Sequence, residues 1–195
     1  MARPLPIGTA GRRTAGWWGV VMLIGTEAAV FAYLFFSYYY LASQTDNVWP
    51  PTGPLPLRYS APTTAALILS SFSIWWADRS IRRGRRLWLF IGLVISLLLG
   101  VLYIILQLLD WQMEPFALNS GAYGSLFYTI TGFHMVHAIA GILIFATLIL
   151  WSALGHVSSE RHESITIAAL YWYFIMVVWI GIFITFYILP YAIPS

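Results

Sequence analysis

The chain has 195 residues, of which 60% are hydrophobic and 9% are charged, with a formal net charge of +3 at pH 7 and no cysteine. A typical soluble domain is about 25% charged, so this composition excludes a water-soluble globular fold, a disordered tail and a nucleic-acid-binding protein. The cysteine count excludes disulfides, thiolate nucleophiles and cysteine-ligated metals. The composition predicts a polytopic membrane protein.

Five apolar segments are candidates for membrane spans, in a chain that we expect to form a single domain over residues 1–195. A spanning helix needs about 20 mostly apolar residues, and the runs lack the alternation of barrel strands. The second is the shortest, and we expect Asp78 and Arg79 to flank it. The first apolar run is too long for a signal peptide. The prediction is an all-α bundle of five transmembrane helices, at about 17–41, 61–77, 87–109, 123–154 and 165–191.

The arginines predict the orientation of the bundle. Nine of the ten fall on the side of the N-terminus, and Arg58 alone falls on the other side. Positive residues favour the cytoplasmic side, so we expect a cytoplasmic N-terminus and a C-terminus outside. Tryptophans near the span ends are typical of lipid anchoring. The nine arginines are Arg3, Arg12, Arg13, Arg79, Arg82, Arg83, Arg85, Arg86 and Arg161, and the tryptophans are Trp17, Trp18, Trp75, Trp76, Trp88, Trp111 and Trp151.

Three ionisable residues lie deep inside the predicted spans: Glu27, His134 and His137. Buried ionisable groups in a membrane are costly and usually functional. A metal site, a proton path through Glu27 and a polar cluster that fixes helix packing or a lipid head group all stay open, and we favour the cluster. We expect both histidines, which share one helix face, to support Glu27. Gly132 and Gly141 flank them and would let a backbone or a lipid approach closely.

Other polar residues have simpler interpretations. Gln107, Asp110 and Trp111 end the third span, where we expect a helix end among the lipid head groups. Ser70 and Ser71 are expected to hydrogen-bond to their own helix. No phosphate-binding loop, Ser-His-Asp arrangement or carboxylate pair in the sequence indicates a catalytic site.

Five motifs follow one another along the chain. They are Trp18, Gly19 and Glu27, then Ser70 and Ser71, then Gln107, Asp110 and Trp111, then Gly132, Phe133, His134, His137 and Gly141, and finally Trp172 and Trp179. Together they resemble one family, subunit III of the heme-copper respiratory oxidases, in its short five-helix form. The likeness covers about residues 15–191. Two departures stand in the last span, where Tyr173 and Met176 replace the usual His and Asp of the family.

The resemblance implies a non-catalytic core subunit of a complex that reduces oxygen to water and pumps protons. It implies that heme and copper are held by subunit I, the main contact, with subunit II and further small subunits nearby. This chain would bind phospholipid but no redox cofactor and no metal, stabilise subunit I, and assist proton uptake or oxygen access. The short form implies a bacterial cytoplasmic (inner) membrane. Glu27 takes the place of the buried glutamate of the family, beside His134 and His137, in a network that has lost two ionisable members.

Two alternatives stay open. The chain could serve a quinol oxidase or a nitric oxide reductase, since the electron donor is selected by other subunits. It could instead be a small proton-coupled carrier that uses Glu27, which would work alone.

Overall fold

The computed structural model describes residues 14–45, 49–155 and 162–192, and the described parts contain helices and no strand. Arg3, Arg12, Arg13 and Arg161 lie outside them. The all-α prediction is therefore confirmed, with five long helices in the expected order. The helices are α1 (Ala15–Ser43), α2 (Leu57–Arg82), α3 (Arg86–Met113), α4 (Ala122–Ala153) and α5 (Glu163–Phe183), and α5 continues through a π-helical turn (Ile184–Ile188) into α6 (Leu189–Ala192).

Four of the helices are long and apolar enough to cross a membrane: α1, α3, α4, and α5 with its continuation. Helix α2 has 26 residues but is less apolar than the others. It also extends further than the sequence predicted, because Asp78 and Arg79 lie inside its last turns rather than beyond its end. An ion pair between Asp78 and Arg82, 2.8 Å apart at i and i+4, supports these turns.

Helices α4 and α5 pack against each other at the centre of the bundle. Helix α1 packs on one side of this pair, and the α2–α3 hairpin packs on the other side, with α3 against α4 and α2 against α5. Phe31 and Tyr38 are the buried residues of α1, so most of that helix faces outward. The starts of α1, α3 and α5 lie together at what we call the arginine-rich end, and the starts of α2 and α4 lie at the opposite end.

Hydrogen bonds between side chains connect the helices at the arginine-rich end. The hydroxyl of Thr14, which caps α1, donates to the carboxylate of Glu163 at the start of α5. The hydroxyl of Thr166 donates to Asp78 of α2 at 2.7 Å, and the Arg82 guanidinium donates to Thr166 at 2.9 Å. These bonds join α1 and α2 to the same end of α5.

Helix α2 is less apolar than the other helices in part because it contains several serines. These serines form hydrogen bonds to neighbouring helices. Ser70 donates to Leu67 of its own helix, as predicted, but its hydroxyl also accepts the indole N–H of Trp172 at 2.6 Å. The same prediction was wrong for Ser71, whose hydroxyl is buried without a partner among the described residues. Ser73 donates to the carbonyl of Gly92 on α3 at 2.9 Å. Polar side chains at these buried positions therefore hold α2 to α3 and α5, as small polar residues do between membrane helices.

Replacing Gly141 with alanine is expected to destabilise the bundle. An added Cβ would lie 2.6 Å from the ring of Trp172, which is fully buried. Overpacking of this kind costs about 1–3 kcal/mol, so the melting temperature of the purified protein in detergent should fall. The control is Gly25→Ala on α1, where an added Cβ has no neighbour within 4 Å. Equal melting temperatures for the two variants would contradict the packing seen around Trp172.

Candidate functional site

Glu27 and His137 form a hydrogen-bonded pair between α1 and α4. The Oε2 atom of Glu27 lies 2.9 Å from Nε2 of His137, and the two side chains are 28% and 14% exposed. Helix α1 has few buried residues, so this pair is one of the polar contacts that attach it to the rest of the bundle. The structure thus joins two of the three ionisable residues singled out in the sequence.

The hydrogen-bond partners of Glu27 and His137 determine how many protons the pair holds. Nδ1 of His137 lies 2.6 Å from the carbonyl oxygen of Phe133, which can only accept a hydrogen bond, so Nδ1 carries hydrogen. A neutral imidazole then has a lone pair on Nε2, and Glu27 must donate as a carboxylic acid. A charged imidazolium would instead donate to a carboxylate. In both cases one proton lies in the contact between Glu27 and His137.

His134 has a different environment from the one we expected, since it does not bond to Glu27. Its side chain is fully buried, with Nε2 at 2.9 Å from the carbonyl oxygen of Ile175 and Nδ1 at 2.7 Å from the hydroxyl of Tyr103. The carbonyl requires N–H on Nε2, and full burial without an acidic partner among the described residues disfavours a charged ring. The ring is therefore neutral, and Nδ1 accepts from Tyr103. A three-residue step turns the side chain by about 60° around the helix. That rotation aims His134 at α3 and α5, whereas His137 faces α1.

Phe31 of α1 packs beside both histidines, with ring centroids 5.4 Å from His137 and 6.4 Å from His134. It also meets Phe174 of α5 at 6.3 Å. The preceding residue of α5, Tyr173, lies within electrostatic range of Asp78 on α2. One of the two departures from the family pattern therefore faces the α2 side of α5, and the apolar ring of Phe174 faces α1.

The histidines leave no free nitrogen for a metal. Each of the four ring nitrogens of His134 and His137 has a hydrogen-bond partner. Within residues 14–45, 49–155 and 162–192, no three His, Cys, Asp or Glu side chains are grouped to hold a metal ion. The geometry therefore favours a proton-holding pair and a packing role over the metal interpretation.

The family-motif positions are spread over the bundle rather than gathered at one site. Trp18 and Phe133 are exposed, and Gly19 faces open space. Trp172 and Trp179 are buried and donate to hydroxyls on α2. Most motif positions thus shape helix packing.

A second polar group lies at the opposite end, where we expected lipid head groups. Gln107 and Asp110 are 1% and 2% exposed, so they are inside the bundle. The reason is the continuation of α5, whose π-helical turn brings the hydroxyl of Tyr187 onto the carboxylate of Asp110. Trp111 also turns inward and donates to Thr131 at 3.1 Å.

Two neighbours of this group, Glu114 and Tyr123, were not predicted from the sequence. Burial, together with the nearby carboxyl of Asp110, raises the pKa of Glu114 to about 7. The spacing of residues 107, 110 and 114 could have indicated the grouping, since these positions share one helix face. We call Gln107, Asp110, Glu114, Tyr123 and Tyr187 the Asp110 cluster.

An apolar cavity of about 580 Å³ lies between α1, α4 and α5, toward the arginine-rich end. Leu23, Leu143 and Ile167 are among its lining residues. Tyr171 also lines it and donates to the backbone carbonyl of His137 at 3.3 Å. The cavity therefore adjoins the Glu27 and His137 pair.

Comparison with known proteins gives one consistent result. The family described as cytochrome c oxidase subunit III matches residues 10–191. Cytochrome c oxidase subunit 3 of Tetraodon nigroviridis is 34% identical over 177 residues, which cover 87% of this chain and 68% of the relative. The proteins of the same name from Pongo pygmaeus and Petromyzon marinus match with the same identity and coverage.

Proposed function

This chain belongs to the cytochrome c oxidase subunit III family, and from that premise we propose that it holds no redox centre and supports the catalytic subunit of its complex. The observation that carries the proposal is the length of the family match, which includes all five long helices. An oxidase complex of this kind reduces oxygen to water and pumps protons. The quinol oxidase, nitric oxide reductase and carrier alternatives are not favoured by the match.

The histidine geometry supports a subunit without heme or copper. A histidine that binds heme iron or copper offers it a nitrogen lone pair, and the nitrogens of His134 and His137 already have partners. Binding iron or copper would break the bonds to Tyr103 or to Glu27. From the family resemblance we propose that the hemes and the copper are held by subunit I, with subunit II and further small subunits completing the complex.

We assign the Glu27 and His137 pair two tasks within this role. It attaches α1 to α4 through a polar contact in an apolar environment, which stabilises the bundle that subunit I packs against. Because the pair holds one proton and Glu27 is partly exposed, it can also pass a proton to a neighbouring group, which would assist proton uptake by the complex. The mechanism needs no metal at this position.

Phospholipid is the ligand that we propose for the apolar cavity between α1, α4 and α5. Its wall is formed mostly of aliphatic side chains, which suit an acyl chain. Trp151 lies at the arginine-rich end of the cavity lining. Tryptophans are typical of the level of the lipid head groups. The excess of arginine at that end supports a cytoplasmic N-terminus, and from the family resemblance we propose a bacterial inner membrane as the location.

One purification tests the proposed function. The chain is tagged, extracted in mild detergent and examined by a reduced-minus-oxidised visible spectrum, with the untagged strain as control. We expect heme a, oxygen consumption and retained phospholipid in the same preparation. Heme b without heme a would instead indicate a quinol oxidase or a nitric oxide reductase. A heme-free, monodisperse protein would contradict the proposal and support a carrier.

A further inference from the structure

The Asp110 cluster contains buried polar atoms for which the protein supplies no partner. Both amide atoms of Gln107, both carboxylate oxygens of Glu114 and the hydroxyl of Tyr123 are in this state. Gln107 and Tyr123 are 1% and 3% exposed. Buried polar groups in native proteins pair with protein or with ordered water. These unpartnered atoms therefore require water as their hydrogen-bond partner.

These groups lie on one side of the end of α3. Gln107 and Asp110 of α3 and Glu114, the residue that directly follows this helix, are three and four residues apart, which places them within about 60° of one another around the helix axis. Tyr123 of α4 and Tyr187 of the π-helical turn both lie within electrostatic range of Glu114. The unpartnered amide of Gln107 thus lies on the face that also carries the two carboxyl groups.

The cluster has acidic groups but no basic partner. Neither Asp110 nor Glu114 forms an ion pair in the described parts of the chain, where the pairs found involve Glu27 and Asp78. The titratable groups that face the carboxyls from the other helices are tyrosines. They are Tyr123 and Tyr128 of α4, Tyr187 of the π-helical turn and, beyond Tyr123, Tyr38 of α1. Two like charges in one buried site disfavour ionisation of both, so one carboxyl is expected to be protonated.

The hydrogen bonds decide which carboxyl carries the charge. The hydroxyl of Tyr187 donates to Asp110, which stabilises the carboxylate form of that residue. Glu114 receives no donor from the protein, and burial disfavours its charged form. The carboxyl oxygens of Glu114 are buried, but the residue follows the last residue of α3 and is itself partly exposed, so only a short path separates its proton from water at that end of the bundle.

We propose that the Asp110 cluster is a proton-binding site, in which water serves the unpartnered atoms of Gln107 and Glu114 and the two carboxyl groups share one negative charge and one exchangeable proton. The proton bonds to a carboxylate oxygen when it binds, and it returns to solvent water when it leaves. The site lies at the opposite end of the bundle from the arginine-rich end, so it is separate from any proton uptake through Glu27.

Infrared difference spectroscopy of the purified complex tests this site. Spectra recorded between pH 5.5 and 8.5 should contain a protonated-carboxyl C=O band that disappears with a midpoint near neutral pH. In Glu114→Gln this band should be missing from the difference spectrum. The control is Gln112→Ala, which changes an exposed neighbour on the same helix and should keep the band. An unchanged band in Glu114→Gln would overturn the proposal.

A second variant keeps the test decisive where Glu114→Gln fails to assemble. Asp110→Asn removes the neighbouring negative charge, so the midpoint of the Glu114 band should move to lower pH. An unmoved midpoint would show that the carboxyls do not share a proton. A wild-type band that is absent throughout would overturn the proposal, and a band that appears only after treatment with a chelator would show a metal cation in place of the proton. The heme spectrum is independent of all these results, so they do not bear on the proposed function.

Discussion

Replacing His134 with leucine is expected to cost about 2–5 kcal/mol of stability, the largest single loss that we predict for a residue in the bundle. The imidazole is fully buried and bonds to Tyr103 on one side and to the carbonyl of Ile175 on the other. Leucine fills a similar volume but leaves the hydroxyl and the carbonyl buried without partners. The measurement is the thermal unfolding midpoint of the purified complex.

Two companion variants separate this effect from general damage to α4. Tyr103→Phe should cost less than His134→Leu, because it leaves one unpaired nitrogen instead of two unpaired oxygens. Val136→Ala, on the exposed face of the same helix, should have little effect. If His134→Leu unfolded like the wild type but lost heme, the histidine would be a ligand and its assigned packing role would be wrong.

The number and order of the helices could be predicted because four of the five helices coincide with continuous apolar runs long enough to cross a membrane, and α2 coincides with a shorter apolar run. The ends of α2 could not be predicted in the same way. Its last turns contain Asp78 and Arg82, which look like flanking residues until they are seen to pair with each other and with Thr166 of α5. A charged segment remains helical where a neighbouring helix supplies its partner, and the sequence does not say which helix that is.

The residues of the candidate site could be predicted from the sequence, but the contacts between them could not. Buried charge is costly enough in a membrane to identify Glu27 and the two histidines from the sequence alone. Which histidine meets Glu27 depends on a rotation of about 60° around α4 and on the position of α1. The burial of Gln107 and Asp110 depends in turn on the end of α5, whose Tyr187 is far away in sequence. Helix periodicity predicts neither the histidine that contacts Glu27 nor the burial of Gln107 and Asp110.

The pair of Glu27 and His137 is expected to couple strongly in a double-mutant cycle on the lifetime of the complex during turnover. Glu27→Leu and His137→Leu should each speed inactivation by about tenfold, which corresponds to about 1.4 kcal/mol. The double variant should be no faster than either single variant, because the same hydrogen bond is lost in each case. That non-additivity would give an interaction energy of about 1.4 kcal/mol, within the range of about 0.5–3 kcal/mol that is typical of residues in contact. Heme content and the initial rate of oxygen consumption should stay close to those of the wild type.

The variant Glu27→Gln separates the effect of the hydrogen bond on the lifetime of the complex from the effect of the exchangeable proton on proton uptake. The carboxamide can donate N–H to Nε2 of His137, whose Nδ1 is already committed to the carbonyl of Phe133, so the attachment of α1 to α4 should survive. Only the exchangeable proton is lost. The lifetime should therefore remain near the wild-type value, while proton uptake measured with a pH-sensitive dye in single-turnover experiments should slow. The control is Thr26→Ala, whose exposed hydroxyl bonds only to Leu23 of its own helix. A variant with normal uptake and a long lifetime would leave the packing role in place and remove the proton role, because only the carboxyl group distinguishes glutamate from glutamine at this position.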